Sequence, residues 1–309
     1  MDVKKDSLKA WILAARPKTL TGAAVPVMIG LALANYQLSI VNCQLSIVNC
    51  QLSIVPAILC LLFAFIMQID ANFINDLFDY LKGTDDRETR LGPERACTQG
   101  WVSVGKMKVA IALTTLIACL VGLPLICYGG WEMVLVGLVC VVFCFLYTTH
   151  LSYMGLGDVL VLVFFGIVPV CVTYYIQLHT LTIPVVIASL ACGMVIDALL
   201  LVNNFRDRDT DREAGKVTLV VRIGAEAALR SYLGVGIIAC LMGVVFIFEG
   251  CWLAFVLPLL YLLLHYRTYR EMRTIWQGRA LNATLGKTAR NIFVYGLLVS
   301  LGLVLSTMF

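Results

Sequence analysis

The sequence predicts an all-α, multi-pass transmembrane helical bundle of about nine spans, and three observations predict it. Of 309 residues, 61% are hydrophobic and 14% charged, against roughly 45–50% apolar in ordinary soluble domains. The apolar residues gather in uninterrupted runs of roughly 16–22, the length that crosses a hydrocarbon core about 30 Å thick. All 23 Lys and Arg fall in the N-terminal segment or in three polar loops, the asymmetry expected of membrane topology.

Taken in order, the first span lies near residues 20–36. Lys4, Lys5, Lys9, Arg16 and Lys18 precede it without the short apolar core and small-residue site of a cleavable signal, so this segment is expected to stay attached. Residues 37–55 then read QLSIVNC twice in tandem, followed by QLSIV. The repeat is too short and lacks the charged flanking positions of a coiled coil, so it is read as an expanded outer loop far from the chemistry. The second span, near 55–75, runs into an acidic cluster, and the third and fourth lie near 107–127 and 132–149. The fifth, near 158–178, opens at Asp158 after Gly155-Leu156-Gly157. There Asp158 either caps the helix or contacts substrate. The sixth, near 183–204, ends in a second acidic cluster; the seventh, eighth and ninth lie near 227–248, 251–266 and 291–308. The first and eighth are marginal in length.

With nine spans, the even-numbered connections share a side with the N-terminus. The segments Lys82–Lys108, Arg206–Arg230 and Arg267–Arg290 carry all the basic residues not in the N-terminal segment. The N-terminus and these loops are therefore expected on the cytoplasmic face of an inner cell membrane, with the C-terminus outside. The net charge of +4 then reflects topology, not nucleic-acid binding. Twelve Cys without a CxxC pair and only three His argue against a disulfide framework or a zinc site. Residues 1–309 read as a single integral-membrane domain whose two halves each end a span in Asn and Asp.

In the first cluster, Asn72 and Asp76, like Asn75 and Asp79, are four apart, so each pair shares a helix face; Lys82 and Asp85 follow. In the second, Asn203, Asp207 and Asp211 are successive i,i+4 neighbours beside Asn204, and Asp197 lies on nearly the same face two turns earlier. Either cluster alone reads as a solvated face that merely ends a span. Two together point further, because stacked carboxylates repel and lose hydration at a bilayer edge unless cations bind between them. Oxygen-only donors favour a hard ion, and Mg²⁺ takes one or two carboxylates, waters and substrate phosphate oxygens. The implied substrate is a diphosphate. Lys82, Arg87, Arg90 and Arg95 in one loop, and Arg206, Lys216 and Arg222 in the other, can neutralise it as it departs. The plainer explanation of any one of them is the positive-inside bias. A pocket opening to membrane lipid would keep water from the resulting allylic cation. Tyr147, Tyr153, Phe164, Phe165, Tyr174 and Tyr175 could shield that cation, or serve as packing and interfacial aromatics.

These clusters resemble the paired signatures of the UbiA-type intramembrane prenyltransferases, N-x-x-x-D-x-x-x-D and D-x-x-x-D. Asn75 and Asp79 match the first, and Asp207 and Asp211 the second. Gly83 stands where the first signature has its last aspartate, and Asp85 takes that place, a departure similar to the branch using 1,4-dihydroxy-2-naphthoate. Ala-Arg16-Pro17-Lys18-Thr19-Leu, Leu91-Gly92-Pro93, Tyr147-Thr148, Gly-Leu-Gly-Asp158, and the run from Asn203-Asn204 through Lys216 and Arg222 to Gly224 also look like that branch. The likeness runs from about residue 10 to 225. It implies a UbiA prenyltransferase-like bundle around a central cavity, with Mg²⁺ and a polyprenyl diphosphate held between the clusters. Catalytic roles are implied for Asp76, Asp79, Asp207 and Asp211; metal contacts for those four with Asn72, Asn75 and Asp85. Diphosphate contacts are implied for Lys82, Arg90, Arg206, Lys216 and Arg222. Acceptor-side or supporting roles fall to Arg16, Lys18, Tyr147, Asp158, Asp197, Asn203 and Asn204. The implied reaction joins the prenyl chain to 1,4-dihydroxy-2-naphthoate with loss of CO₂, giving demethylmenaquinone. Another acceptor, such as 4-hydroxybenzoate, is the nearest alternative. An ion-coupled transporter is the distant one, although its acids belong near mid-membrane rather than at one interface.

Overall fold

The computed structural model describes residues 3–45, 51–83, 88 and 90–308, and every regular element among them is helical. Ten main helices are α1 (Leu8–Ala15), α2 (Leu20–Leu45), α3 (Ile54–Leu81), α4 (Val104–Gly129), α5 (Glu132–Leu151), α6 (Gly157–Leu178), α7 (Ile183–Glu213), α8 (Ala225–Phe248), α9 (Leu259–Ile275) and α10 (Leu281–Leu305). Among the described residues, eight segments are long and apolar enough to cross a membrane. They comprise α1 with α2, then α3 to α8, then α10.

The eighth expected span is not among these eight because it runs from the Glu249 end of the bundle to the Arg279 end as a broken helix. Residues 252–275 form two helices, Trp252–Val256 and α9, separated at Leu257–Pro258. Pro258 cannot donate to the turn before it, and the second half of α9 carries Arg267, Arg270, Glu271 and Arg273, so no long apolar helix results. α9 nevertheless packs between α8 and α10.

The tandem repeat also departs from the loop reading. α2 continues unbroken through its first copy to Leu45, and α3 starts at Ile54, within the last partial copy. The repeat contains neither Gly nor Pro, so nothing in its first copy stops a helix already under way. Residues 46–50 lie outside the described residues. The far edge of the repeat is anchored: the Ser53 amide donates to Gln177 Oε1 at 2.8 Å, and Gln177 Nε2 donates back to the Ser53 carbonyl at 3.0 Å. Tyr36 likewise donates to the Glu249 carbonyl at 2.6 Å. These contacts join the first, fifth and seventh connections at one end of the bundle. The arginine-bearing loops meet at the other, through Arg279 to Arg90 and Asn282 to Leu91.

The helices form a closed ring: α2 touches α3, α6 and α10; α3 touches α4 and α5; α7 touches α6, α8 and α10. The α6–α7 approach depends on two glycines. A Cβ on Gly166 would lie 2.6 Å from the Ser189 carbonyl and 2.7 Å from the Gly193 Cα, and one on Gly193 would lie 2.9 Å from the Leu162 carbonyl. Small residues at a membrane helix crossing let backbones approach this closely. A π-helical turn at Leu162–Ile167 marks the spot, as such turns often do near functional sites.

Candidate functional site

The ring encloses a cavity of about 660 Å³ whose wall is contributed mainly by α2 to α7. Most of that wall is apolar, with Phe63, Met67, Met133, Leu138, Val141 and Phe164 among its residues. Its polar side is supplied by Arg16, Asn75, Asp79, Arg90, Arg95, Tyr147, Asp158, Asn203, Asn204 and Lys216.

The end of α3 presents two polar faces, and only one reaches the cavity. Asn75 and Asp79 line it; the Thr148 hydroxyl donates to Asn75 Oδ1, and Arg95 pairs with Asp79 at 2.9 Å. Asn72 and Asp76 face elsewhere, which corrects their assignment as ligands. Asn72 Nδ2 donates to the Ala15 carbonyl at 2.9 Å and to Thr19 Oγ1 at 3.0 Å. The fully buried Asp76 carboxylate accepts the Ala96 and Cys97 amides at 2.8 and 2.9 Å. Its oxygens are committed to backbone donors, which would otherwise stand unpaired in a buried turn. These two residues hold the corner at Arg16 and the turn at Arg95, both of which reach the cavity. Asp85 and Arg87 lie outside the described residues.

The end of α7 brings in the second cluster. Asn203 and Asn204 line the cavity. Arg206, 2% exposed, donates Nε and Nη2 to the two oxygens of Asp207 at 2.8 and 2.6 Å, Nη2 also to Asn203 at 2.8 Å, and Nη1 to Asn282 at 2.9 Å. This planar fork is engaged by protein partners and holds Asp207 and Asn203 in place. Asp211 pairs with Lys216 at 3.5 Å and keeps a buried Oδ2 with no hydrogen-bond partner. Asp79 and Asp207 both act electrostatically on Asp211, so the two motifs share one neighbourhood.

Three other residues with expected roles make contacts within the protein or lie off the cavity wall. Lys82 donates to the Thr149 carbonyl at 2.5 Å and sits 3.8 Å over the Tyr153 ring, fastening the π-helical turn Tyr147–Leu151. Arg222 donates to the Met154 carbonyl, tying down the turn before α6. Lys18 is exposed and does not line the cavity. Among the basic residues expected at the diphosphate, Arg90, Arg95 and Lys216 reach the cavity, joined there by Arg16. Arg16 is held at φ 52° between the end of α1 and Pro17, and its Nη2 is buried without a partner. Burial, with the like charges of Arg95, Arg16 and Arg206 partly offset by Asp207, pushes the Arg90 guanidinium down to about 8. A compressed cluster of cations is relieved by an arriving anion. Gly92 makes the crowding possible, since a Cβ there would stand 2.7 Å from Arg206 Nη2.

Sequence reasoning missed Asn282 and Thr148. Both act from segments distant in sequence from their partners, and neither stands in a charged pattern. Tyr147 lies beside the start of α6, its hydroxyl 3.8 Å from the position of a Gly157 Cβ. Asp158 lines the cavity, and Asp197, 8% exposed, stands behind it. Capping does not explain Asp158, because the helix N-cap is Leu156 and no side chain caps it. Among the described residues, no group of three or more His, Cys, Asp or Glu converges to hold a metal. The candidate donors at the ends of α3 and α7, Asn75, Asp79, Asp207 and Asp211, are all oxygen, and the orphaned Asp211 Oδ2 lacks a partner of the kind a hard cation provides. The set suits Mg²⁺.

The UbiA prenyltransferase family matches residues 23–284 of the chain. The chain is 34% identical, over 96% of its length and 96% of the relative's, to a 1,4-dihydroxy-2-naphthoate octaprenyltransferase of Escherichia coli. It is 27% identical, over 96% of its length and 84% of the relative's, to human UbiA prenyltransferase domain-containing protein 1. A solved UbiA homologue from Archaeoglobus fulgidus, bound to GPP and Mg²⁺, superposes with a TM-score of 0.65 at 13% identity, over 94% of this chain and 99% of that one. This likeness extends to the fold.

Proposed function

The chain belongs to the UbiA prenyltransferase family, and from that premise we propose that it joins the prenyl group of a polyprenyl diphosphate to 1,4-dihydroxy-2-naphthoate. Diphosphate and CO₂ are released, and the product is demethylmenaquinone in its reduced, quinol form. One observation carries the reaction class: a largely apolar cavity whose polar side sets Asn75 and Asp79 beside Arg16, Arg90, Arg95 and Lys216. An anionic leaving group and an isoprenoid chain need those two environments side by side. The acceptor follows from the bacterial relatives, matched over nearly the whole chain.

Arg16, Arg90, Arg95 and Lys216 bind the diphosphate and stabilise the charge that grows on it as the allylic carbon–oxygen bond breaks. Asn75, Asp79, Asp207 and Asp211 would hold Mg²⁺, with Arg206 orienting Asp207 for that task. Bound Mg²⁺ supplies Lewis-acid stabilisation to the leaving diphosphate. The apolar wall excludes water from the electrophilic carbon. Leu123, Val134 and Leu138 line the cavity and are 59%, 48% and 59% exposed, apolar surface along which the prenyl chain would reach lipid. Residues 1–309 act as one catalytic domain, with the polar loops on the cytoplasmic face.

The test supplies membranes containing the protein with Mg²⁺, a labelled polyprenyl diphosphate and either 1,4-dihydroxy-2-naphthoate or 4-hydroxybenzoate, with EDTA as control. EDTA-sensitive prenylation of the naphthoate alone, with CO₂ released, is the expected result. Transfer to the benzoate alone would keep the mechanism and overturn the acceptor; EDTA-resistant transfer would overturn the metal.

A further inference from the structure

Asp158 and Asp197 are not explained by metal or diphosphate binding. Asp158 stands in the first turn of α6 on the cavity wall, and Asp197 stands on α7 behind it. The close Gly166–Gly193 approach brings these helices together, the first turn of α6 packs on α7, and the two carboxyl groups interact with each other. Among the described residues neither takes part in an ion pair, and each keeps a buried Oδ1 without a partner. An acid in an apolar bundle with no cation and no cap to satisfy is expensive to keep, and such residues mark functional positions.

Two carboxyl groups hydrogen-bond to each other only with a proton between them. If Asp197, the more deeply placed, donates that proton, one oxygen of Asp158 is engaged from behind and the other remains an acceptor at the wall. That oxygen suits a neutral donor of the size the cavity admits, such as a phenolic hydroxyl. Tyr147 stands in the same place: its ring adjoins Gly157, and its hydroxyl is within electrostatic reach of Asp158, Asp79, Asp197 and Asp211. The carboxyl pair is thus adjacent to, and separate from, the acids assigned to Mg²⁺.

We propose that Asp158, positioned by Asp197, recognises a ring hydroxyl of the aromatic acceptor and takes its proton as the new carbon–carbon bond forms. The proposal rests on the prenyl-transfer reading above. In the step, the allylic carbon–oxygen bond breaks and its electron pair goes to the diphosphate. A ring carbon of the acceptor supplies the pair for the new bond. The hydroxyl proton passes to the Asp158 carboxylate, and the O–H pair becomes the π bond of a ring carbonyl. Asp158 is therefore a catalytic residue and Asp197 a positioning residue.

The experiment compares membranes of wild type, Asp158→Asn and Asp197→Asn on 1,4-dihydroxy-2-naphthoate and on the same acceptor methylated at one hydroxyl at a time. Binding of labelled polyprenyl diphosphate is measured on each. In wild type, methylating the contacted hydroxyl lowers kcat/KM by roughly 100-fold or more. Asp158→Asn lowers kcat/KM on the unmodified acceptor by a similar factor, shows no further penalty from methylation, and binds polyprenyl diphosphate as wild type does. Asp197→Asn lowers kcat by roughly 10-fold and leaves the KM for polyprenyl diphosphate unchanged. A merely structural pair would leave the methylation penalty intact in Asp158→Asn, and that result overturns the proposal. So does near-wild-type turnover by Asp158→Asn, or loss of diphosphate binding in step with turnover. Turnover by wild-type membranes is established first, so failure of the carboxyl pair is distinguishable from failure of the reaction.

Discussion

Asp76 and Asp79 are three residues apart on α3 and face different surroundings, the first two backbone amides and the second the cavity. Their mutants should separate accordingly. Asp76→Asn leaves one amide without an acceptor and should lower stability by about 1–3 kcal/mol. A thermal melt in detergent should show that loss, while the Mg²⁺ dependence of residual turnover stays as in wild type. Asp79→Asn should lower kcat by roughly 100-fold or more with a smaller change in the melt; turnover within a few-fold of wild type would remove Asp79 from the site. The i,i+4 spacing made both polar pairs visible in the sequence, Asn72 with Asp76 and Asn75 with Asp79. It could not say which face met backbone and which met the cavity, because the partners, Ala15, Ala96 and Cys97, carry no polar side-chain signal. The same limit applies to Arg206, whose place in a basic loop looked like anion binding until Asn203, Asp207 and Asn282 were seen to hold it.

At the scale of elements, hydrophobic run length located most helices well, since a stretch that must satisfy every backbone group in lipid has to be helical. It left two details open. The repeat contains residues that look loop-like in composition yet do not break a helix, so α2 runs on to Leu45. The segment 251–266 crosses the bundle as expected, but Pro258 breaks it into two helices, so no single long apolar helix forms. The α6–α7 crossing was not legible at all, because a glycine in an apolar run has no partner until two helices meet. Gly166→Val should force these helices apart, destabilising the protein by about 1–3 kcal/mol or more and reducing monodisperse protein recovered in detergent. Gly137→Ala is the control: a Cβ there meets nothing within 4 Å, and recovery should equal that of wild type. Equal recovery of Gly166→Val would refute the crossing.

For the whole molecule, orientation is the testable consequence of charge asymmetry. With the exposed native Cys119 and Cys127 replaced by Ser, a cysteine at Gln277 should react with an impermeant thiol reagent only from the cytoplasmic face. A cysteine at Trp131, 79% exposed, should react only from the other face; the reverse pattern would invert the topology. The sequence by itself determined the class of molecule, a helical membrane bundle, together with its two acidic clusters and the family they resemble. Those features rest on local quantities: apolar run length, charge sign and four-residue spacing. Only the tertiary structure decided which polar residues share the cavity, that Asp76 and Asn72 turn to backbone partners instead, and that the first turn of α6, with Asp158, packs on α7, with Asp197. Those facts depend on contacts between helices far apart in the chain, and a side chain's role is set by the partner the fold places opposite it.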